Sequence, residues 1–382
     1  MKSSYKKLGR YIREVNVKNS DLNITKLLGV SIKKKFIPSI ANTIGTNMSN
    51  YKIVRHNQFA YGPVTSRNGD KISIALLKES DCIVSTSYTV FEIIDKEVLD
   101  PEYLMMWFCR SEFDRYARFK SHGSVREMFD WQQMCDIELP IPTISQQRSL
   151  VKQYNLILDK IKTIRELKKQ LEVFIDNIYS SHLELYEDHS EFITPLSDLC
   201  DLITDGKHGD CINEENSGYY FISIKDIVDG NINYNQARQI TKKDFLETHK
   251  RTNFSSGDIL YSNTGTIGKI HILRDTPLTY KTTCQKSLAI LKPKINRITS
   301  NYLYCILRKN TKNFNEIAGG TSQHNLLLGD MKKFEVYCPP YKEVEDFCTK
   351  INPIFEKINH INDLINILIS LKKILETNLT KI

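Results

Sequence analysis

Two stretches of the chain carry an apolar residue alternately every third and fourth position. In the first, Ile157, Ile161, Ile164, Lys168, Leu171, Ile175 and Ile178 follow this rhythm. In the second, Ile354, Ile358, Ile361, Ile365, Leu368, Lys372, Leu375 and Leu379 repeat it. A mean period of 3.5 residues keeps one seam of a helix facing a partner along its length. The pattern predicts two long helices, each of about forty residues and roughly 60 Å at 1.5 Å per residue. Each seam carries one lysine, Lys168 or Lys372. A lysine there weakens packing but helps fix register, or else it snorkels from a widened part of the seam.

The segments ahead of the two helices have a different rhythm. Short β-rich runs such as Ile72–Leu77 and Tyr219–Ile224 are separated by turn residues, Asn68-Gly69-Asp70, Asp229-Gly230-Asn231 and Ser256-Gly257-Asp258. One amphipathic helix follows in each segment: 101–108 lines up with 300–307. Glu138-Leu139-Pro140-Ile141-Pro142 lines up with Glu335-Val336-Tyr337-Cys338-Pro339, an offset of 197 residues. Gly123-Ser124 matches Gly320-Thr321 at the same offset. One chain thus imitates a two-fold dimer, and two-part recognition of a two-fold target such as DNA is the implied use.

Composition narrows the field. The 382 residues have room for two or three domains. Nine cysteines are scattered without a Cys-x-x-Cys pair, which argues against a zinc site and for reduced thiols. No run of eighteen apolar residues is present, and the N-terminus lacks the apolar stretch of a signal peptide, so a cytoplasmic location is expected. The net charge of +8 is mild. Residues 1–140 hold 21 Lys and Arg against 16 Asp and Glu, so the excess sits mostly in the globular parts, as phosphate contact would favour.

Particular motifs now carry a resemblance. In the second half they are Leu199-x-x-Leu202-Ile203-Thr204-Asp205-Gly206-Lys207-His208, Phe221–Ile227, Gly257-Asp258-Ile259-Leu260, Thr264-Gly265-Thr266-Ile267-Gly268-Lys269 and Ala318–Gln323, then the Pro339-Pro340 step. The first half keeps Asn57-Gln58-Phe59-Ala60-Tyr61 in the slot of Gly257–Tyr261, together with His122-Gly123-Ser124 and Ile141-Pro142-x-x-Ser145-Gln146-Gln147-Arg148. It lacks the Asp-Gly-x-His and Gly-x-x-Gly elements. With these motifs and this layout the chain resembles the specificity (S) subunits of type I restriction–modification systems over nearly its whole length. The family's usual Asp-Gly-Thr-His stands here as Asp205-Gly206-Lys207-His208.

The resemblance implies an α+β fold: two α/β target-recognition domains separated by two long antiparallel coiled-coil helices, a pseudo-two-fold repeat. The expected boundaries are 1–142 for the first recognition domain and 143–186 for the central helix. The second recognition domain would span 187–339 and the C-terminal helix 340–382. It further implies sequence-specific binding of a bipartite double-stranded DNA target and docking to two modification (methyltransferase) subunits, with a restriction/translocase subunit where one exists. The chain itself would be non-catalytic and free of cofactor. S-adenosylmethionine would sit on the modification partners, and ATP and Mg on a restriction partner. The alternative from another class is a coiled-coil scaffold with two repeated protein- or glycan-binding domains.

Candidate DNA contacts follow from residue chemistry. Gly265 and Gly268 can adopt backbone angles that bring N–H groups close to a phosphate, with Lys269 beside them. Asp205, Lys207 and His208 share a turn signal, and Arg67 and Asn68 share another. Arginine matches guanine edges and asparagine adenine edges. Ser87 and Tyr88, and Gln285 and Lys286, lie in polar runs that suit groove-facing strands. Arg126, Lys225, Thr264 and Gln323 complete the candidate set. The candidate helix seam is Ile157, Ile161, Ile164, Leu171, Ile178, Ile354, Ile358, Ile361, Leu368 and Leu375.

Three look-alikes carry no chemistry. Cys338-Pro339-Pro340-Tyr341 imitates the Asn/Asp-Pro-Pro-Tyr of amino-methyltransferases, but a thiol accepts hydrogen bonds poorly and the repeat explains the prolines. Gly265–Lys269 has too few residues between its glycines for a P-loop. Asp159, Glu166 and Lys168 imitate a nuclease cluster but share one helix.

Overall fold

A computed structural model describes residues 5–39, 45–66, 68–123, 126–185, 190–320 and 324–381. The chain forms two compact units: 1–163 with 365–382, and 164–364. Two helices dominate, α4 (Ile144–Glu184) and α9 (Tyr341–Asn378), 41 and 38 residues long.

In the first unit, β1 (Tyr5–Lys7) pairs antiparallel with β10 (Glu138–Pro140). A four-stranded sheet runs in the order β2 (Ile12–Val15), β9 (Thr89–Ile93), β6 (Phe59–Tyr61), β7 (Ile74–Leu76). The hairpin β3 (Leu28–Ser31) and β4 (Lys35–Pro38), and the pair β5 (Lys52–Val54) and β8 (Cys82–Val84), complete the strands. Three helices follow, α1 (Pro101–Phe108), α2 (Ser111–Lys120) and α3 (Trp131–Cys135). The start of α1 is written locally: Asp100 accepts from the N–H groups of Glu102 and Tyr103, and Pro101 takes the first helical position.

The second unit repeats this plan. β11 (Ile193–Pro195) pairs antiparallel with β21 (Glu335–Tyr337). Its four-stranded sheet has the order β12 (Cys200–Asp205), β20 (Leu288–Pro293), β17 (Ile259–Ser262), β18 (Ile270–Ile272). A second sheet sets β13 (Tyr220–Ile222) between β16 (Arg238–Gln239) and β19 (Thr282–Cys284), and β14 (Ile227–Val228) pairs with β15 (Asn231–Ile232). Helix α5 (Lys242–Thr252) is followed by the trio α6 (Ser300–Lys309), α7 (Thr311–Ile317) and α8 (Leu328–Lys333). Among the described residues the first unit therefore holds three α-helices beside its sheet and the second holds four, where sequence pattern suggested one in each.

The repeat extends to single hydrogen bonds. Gln58 accepts from the Arg55 N–H through its side chain at 2.8 Å, and Asp258 accepts from the Ser255 N–H at 2.8 Å. Asn57 and Gly257 both have positive φ, 66° and 88°. Their N–H groups donate to Leu77 O and Leu273 O. The slot matched by Asn57–Tyr61 and Gly257–Tyr261 is thus one turn built twice, and asparagine is a residue that tolerates the left-handed conformation in place of glycine.

The long helices run antiparallel within each unit. In the second, Lys168 Nζ donates to Asn362 Oδ1 at 2.7 Å while Tyr179 meets Phe347 with ring centroids 5.8 Å apart. In the first, Tyr154 OH donates to Glu376 Oε1 at 2.8 Å, and Tyr5, paired with Pro140, donates to Thr380 O. Every residue of the proposed seam is buried or half-buried.

Of the two readings of the seam lysines, Lys168 follows register fixing. The residue is 4% exposed and its ammonium also donates to Asp229 O, with Glu172 3.8 Å away. Lys372 is more open, bonded to Glu376 Oε1 at 2.6 Å and lying over the Tyr154 ring. Losing the Lys168 ammonium leaves Asn362 Oδ1 and Asp229 O short of a donor. Lys168→Met should therefore cost about 1–3 kcal/mol in a denaturant melt, and an unchanged midpoint would show that the tie contributes nothing.

The buried His271 on β18 makes a contact of 3.0 Å between Nδ1 and Gly230 O. Burial pushes its pKa down to about 4, against an ordinary value near 6.5. The folded state therefore resists a proton that the unfolded chain accepts. Stability is full above pH 6.5 and falls as pH drops from 6.5 towards 4, by up to about 3 kcal/mol. His271→Gln should flatten this part of the acid limb, measured as unfolding midpoint against pH; an identical slope would assign the acid sensitivity elsewhere.

Candidate nucleic-acid interface

In the second unit β12 ends at Asp205, and the next residues run beside the turn after β19. Lys207 N donates to Cys284 O at 2.8 Å, and Lys286 N donates to Lys207 O at 3.1 Å. Gly206 has no room for a side chain: a Cβ there would lie 2.0 Å from Cys284 O. The glycine is required for close approach of two backbones, which corrects the expectation of a plain turn. Asp205 is 8% exposed. Its carboxylate bonds Arg251 and, at 2.9 Å, the His208 ring. It is a buried anchor that holds two cationic or polar groups at the surface.

Gly265 and Gly268 both have positive φ, 74° and 99°. Their N–H groups do not form a phosphate cradle. Gly265 N donates to His324 O at 2.8 Å and Gly268 N to Ser262 O at 3.1 Å. Lys269 is likewise engaged, donating to Ile224 O and Ile227 O, both at 2.8 Å. Its role is to pin the 224–227 segment against the 262–269 loop.

What remains open is a pair of neighbouring depressions sharing Thr264. The larger, about 650 Å³, is lined by Lys225, Gln236, Arg238, Thr264, Thr266 and Gln285. The smaller, about 360 Å³, is lined by Asp205, His208, Asn263, Thr264, Lys286 and Asn325. The structure thus gathers Asp205, His208, Lys225, Thr264, Gly265, Lys269, Gln285 and Lys286 on one surface. Lys207 adjoins it, paired with Glu247 at 3.2 Å. Gln323 lies outside the described residues.

Sequence reasoning missed Arg251, Arg238, Gln236 and Asn325. Arg251 meets Asp205 across 46 positions, so no local spacing announces it. Arg238 lies over the Phe221 ring, 5.5 Å from its centroid, and bonds Asp210, Asn213 and Cys211 O. It fixes the 210–213 loop, and beside it the Asp210 carboxyl is held below the usual carboxylate range.

The first unit presents the same bridged loops. Val64 pairs with Met128 as Thr264 pairs with Asn325, and His122 pairs with Met128 as Gly319 pairs with Asn325. Asn68 sits on the turn after Val64, its N–H donating to Thr65 O. Arg126 is exposed close to Met128, which pairs with His122. Ser87 lies in a turn whose Ser85 and Ser87 hydroxyls meet at 3.1 Å. Tyr88 is half-buried, its hydroxyl accepting from Val30 N at 3.3 Å. Residues 85–88 therefore form a turn, and Thr282–Cys284 are fully buried in β19, so neither run is a groove-facing strand. Arg67 lies outside the described residues.

Cys338 is fully buried, and burial pushes its thiol up to about 11. Among the described residues no three His, Cys, Asp or Glu side chains cluster as a metal site, and no helix is long and apolar enough to cross a membrane.

Residues 192–372 match the family of type I restriction modification DNA specificity domains. The matched stretch runs from β11 through most of α9, so it is residues 192–372 that resemble this class of domain. It is 24% identical, over 327 residues, to the type I restriction enzyme MjaIX specificity subunit of Methanocaldococcus jannaschii, covering 78% of this chain and 72% of that one. Among solved structures the type I S subunit from M. genitalium shares the fold. Its TM-score is 0.50 at 14% identity, covering 98% of this chain and 95% of that one.

These positions divide the lysines. Lys225→Ala with Lys286→Ala should weaken duplex binding and lower the slope of log affinity against log salt by about two. Lys269→Met should instead lower the melting temperature. Titrations at several salt concentrations together with thermal melts test this, and an unchanged salt slope in the double variant would displace the proposed face.

Proposed function

We propose that the chain is the sequence-specific DNA-recognition subunit of a type I restriction–modification complex. The observation that carries this reading is the duplication itself. Two units share sheet order, turn hydrogen bonds and bridged loops, while the side chains on those loops differ. A scaffold binding one protein or glycan twice would have no need for that divergence. Domains at 1–142 and 187–339 would each read one half-site. The helices at 143–186 and 340–382 would set the spacer, since a helix pair is stiff and a DNA turn is about 34 Å. The chain would contribute no catalytic group.

The partners in this reading are two modification subunits carrying S-adenosylmethionine, joined by a restriction subunit with ATP and Mg where one exists. The helices offer matching places for two equal partners. Leu167 and Phe174 on α4 are 41% and 53% exposed; their repeat positions, Leu364 and Leu371 on α9, are 40% and 45% exposed. Apolar side chains left in water at equivalent places suit protein contact.

Deleting one heptad from both helices should shorten the spacer in the methylated motif, read by methylation-aware sequencing of cells carrying the variant. An active variant with the original spacer would overturn the ruler. Leu167→Glu with Leu364→Glu should prevent co-purification with modification subunits while leaving the melt intact; undiminished assembly would place the partners elsewhere.

A further inference from the structure

The first unit bears an open pocket of about 420 Å³ between the β3–β4 hairpin, α1 and the long-helix residues Tyr154, Leu158 and Lys372. The repeat shows what is missing there. Met105 and Cys109 correspond to Tyr304 and Arg308 in the matched helices, and Leu158 corresponds to Phe355. In the second unit those larger residues pack against one another and their surroundings. Tyr304 and Phe355 meet edge to face at 5.2 Å, and Arg308 bonds Asp176 at 2.7 Å. Smaller side chains at all three places leave this pocket open where the second unit is filled.

The walls of this space have two characters. Its floor is apolar: Phe36, Leu77, Met105, Met106 and Leu158. Its rim carries Lys33, Lys35, Lys78 and Lys372 together with Glu102 and Glu79, the latter paired with Lys26 at 2.7 Å. Lys78 is paired with Glu102 at 2.5 Å and Lys372 with Glu376. Lys33 and Lys35 are exposed and form no ion pair among the described residues. Nearby Lys34 is held by Asp114 and Ile72 O, which fixes the hairpin tip that carries its two neighbours. Thioethers and an aromatic ring suit a flat base, and lysine ammoniums suit a phosphate. The volume falls within the range of small-molecule sites.

We propose that this pocket binds a nucleoside phosphate, its base on Met105, Met106 and Phe36 and its phosphate at Lys33 and Lys35. This site is separate from the DNA-recognition reading and does not depend on it. Calorimetric titration of the full-length chain with adenosine 5′-monophosphate, and with inorganic phosphate alone, tests it. The expected result is saturable binding of the nucleotide, tighter than that of phosphate. Lys33→Glu with Lys35→Glu should weaken it about tenfold or more, the loss of roughly 1.4 kcal/mol of charge contact. Met105→Tyr with Leu158→Phe, which restores the larger residues of the repeat, should abolish binding and keep or raise the melting temperature. No saturable nucleotide binding would overturn the proposal, as would equal affinity for phosphate alone. Lysine variants that leave nucleotide affinity unchanged would also overturn it. If those variants lose only duplex affinity, the lysines belong to a DNA face and the site does not exist.

Discussion

A helix of about forty residues with an apolar seam cannot cover that seam alone, and everything else in this chain is arranged around that fact. The seams of α4 and α9 are buried with the two segments antiparallel in each unit. An apolar seam by itself would tolerate sliding by a heptad. The Lys168 to Asn362 bond resists that in the second unit, and the Tyr154 to Glu376 bond does so in the first. Buried polar pairs of this kind define register because any slipped arrangement leaves them unsatisfied.

The same lysine extends the constraint into the second recognition unit. Lys168 also bonds Asp229 O at the tip of the β14–β15 hairpin, His271 contacts Gly230 O, and Lys269 holds Ile224 O and Ile227 O. Three nitrogenous side chains thus fix one hairpin, and the segment leading into it carries Lys225 at the edge of the large cleft. Side chains available for recognition are therefore supported by others that are fully engaged. Arg238 and Asp205 serve the same end for the 210–213 loop and for His208.

Much of this was legible in the sequence. The 3.5-residue period located both helices, and the 197-residue offset located the repeated units, because periodicity and repetition are properties of the chain itself. The Asn57 and Gly257 slots match through the residues that flank them, and the turn they share lies between those matches. The proposed recognition surface was only half legible. Glycines at 265 and 268 announced positive φ, but where their N–H groups point depends on His324 and on the far side of the loop. Gly206 looked like a turn because its crowding against Cys284 arises from a contact 78 positions away. Arg251 and Arg238 had no local signature for the same reason.

Divergence between otherwise matching units is what a two-part DNA target of unlike halves demands. At Met105 and Tyr304, and at Leu158 and Phe355, the two units differ in packing, and one keeps an open pocket that the other fills. The most direct test of the central claim is methylation-aware sequencing of cells expressing the chain with its modification partner, before and after residues 187–339 are exchanged for those of a relative. The account predicts a bipartite motif of two unlike halves in which the exchange alters one half and leaves the other intact. A single contiguous motif, or an exchange that changes both halves or neither, would contradict it.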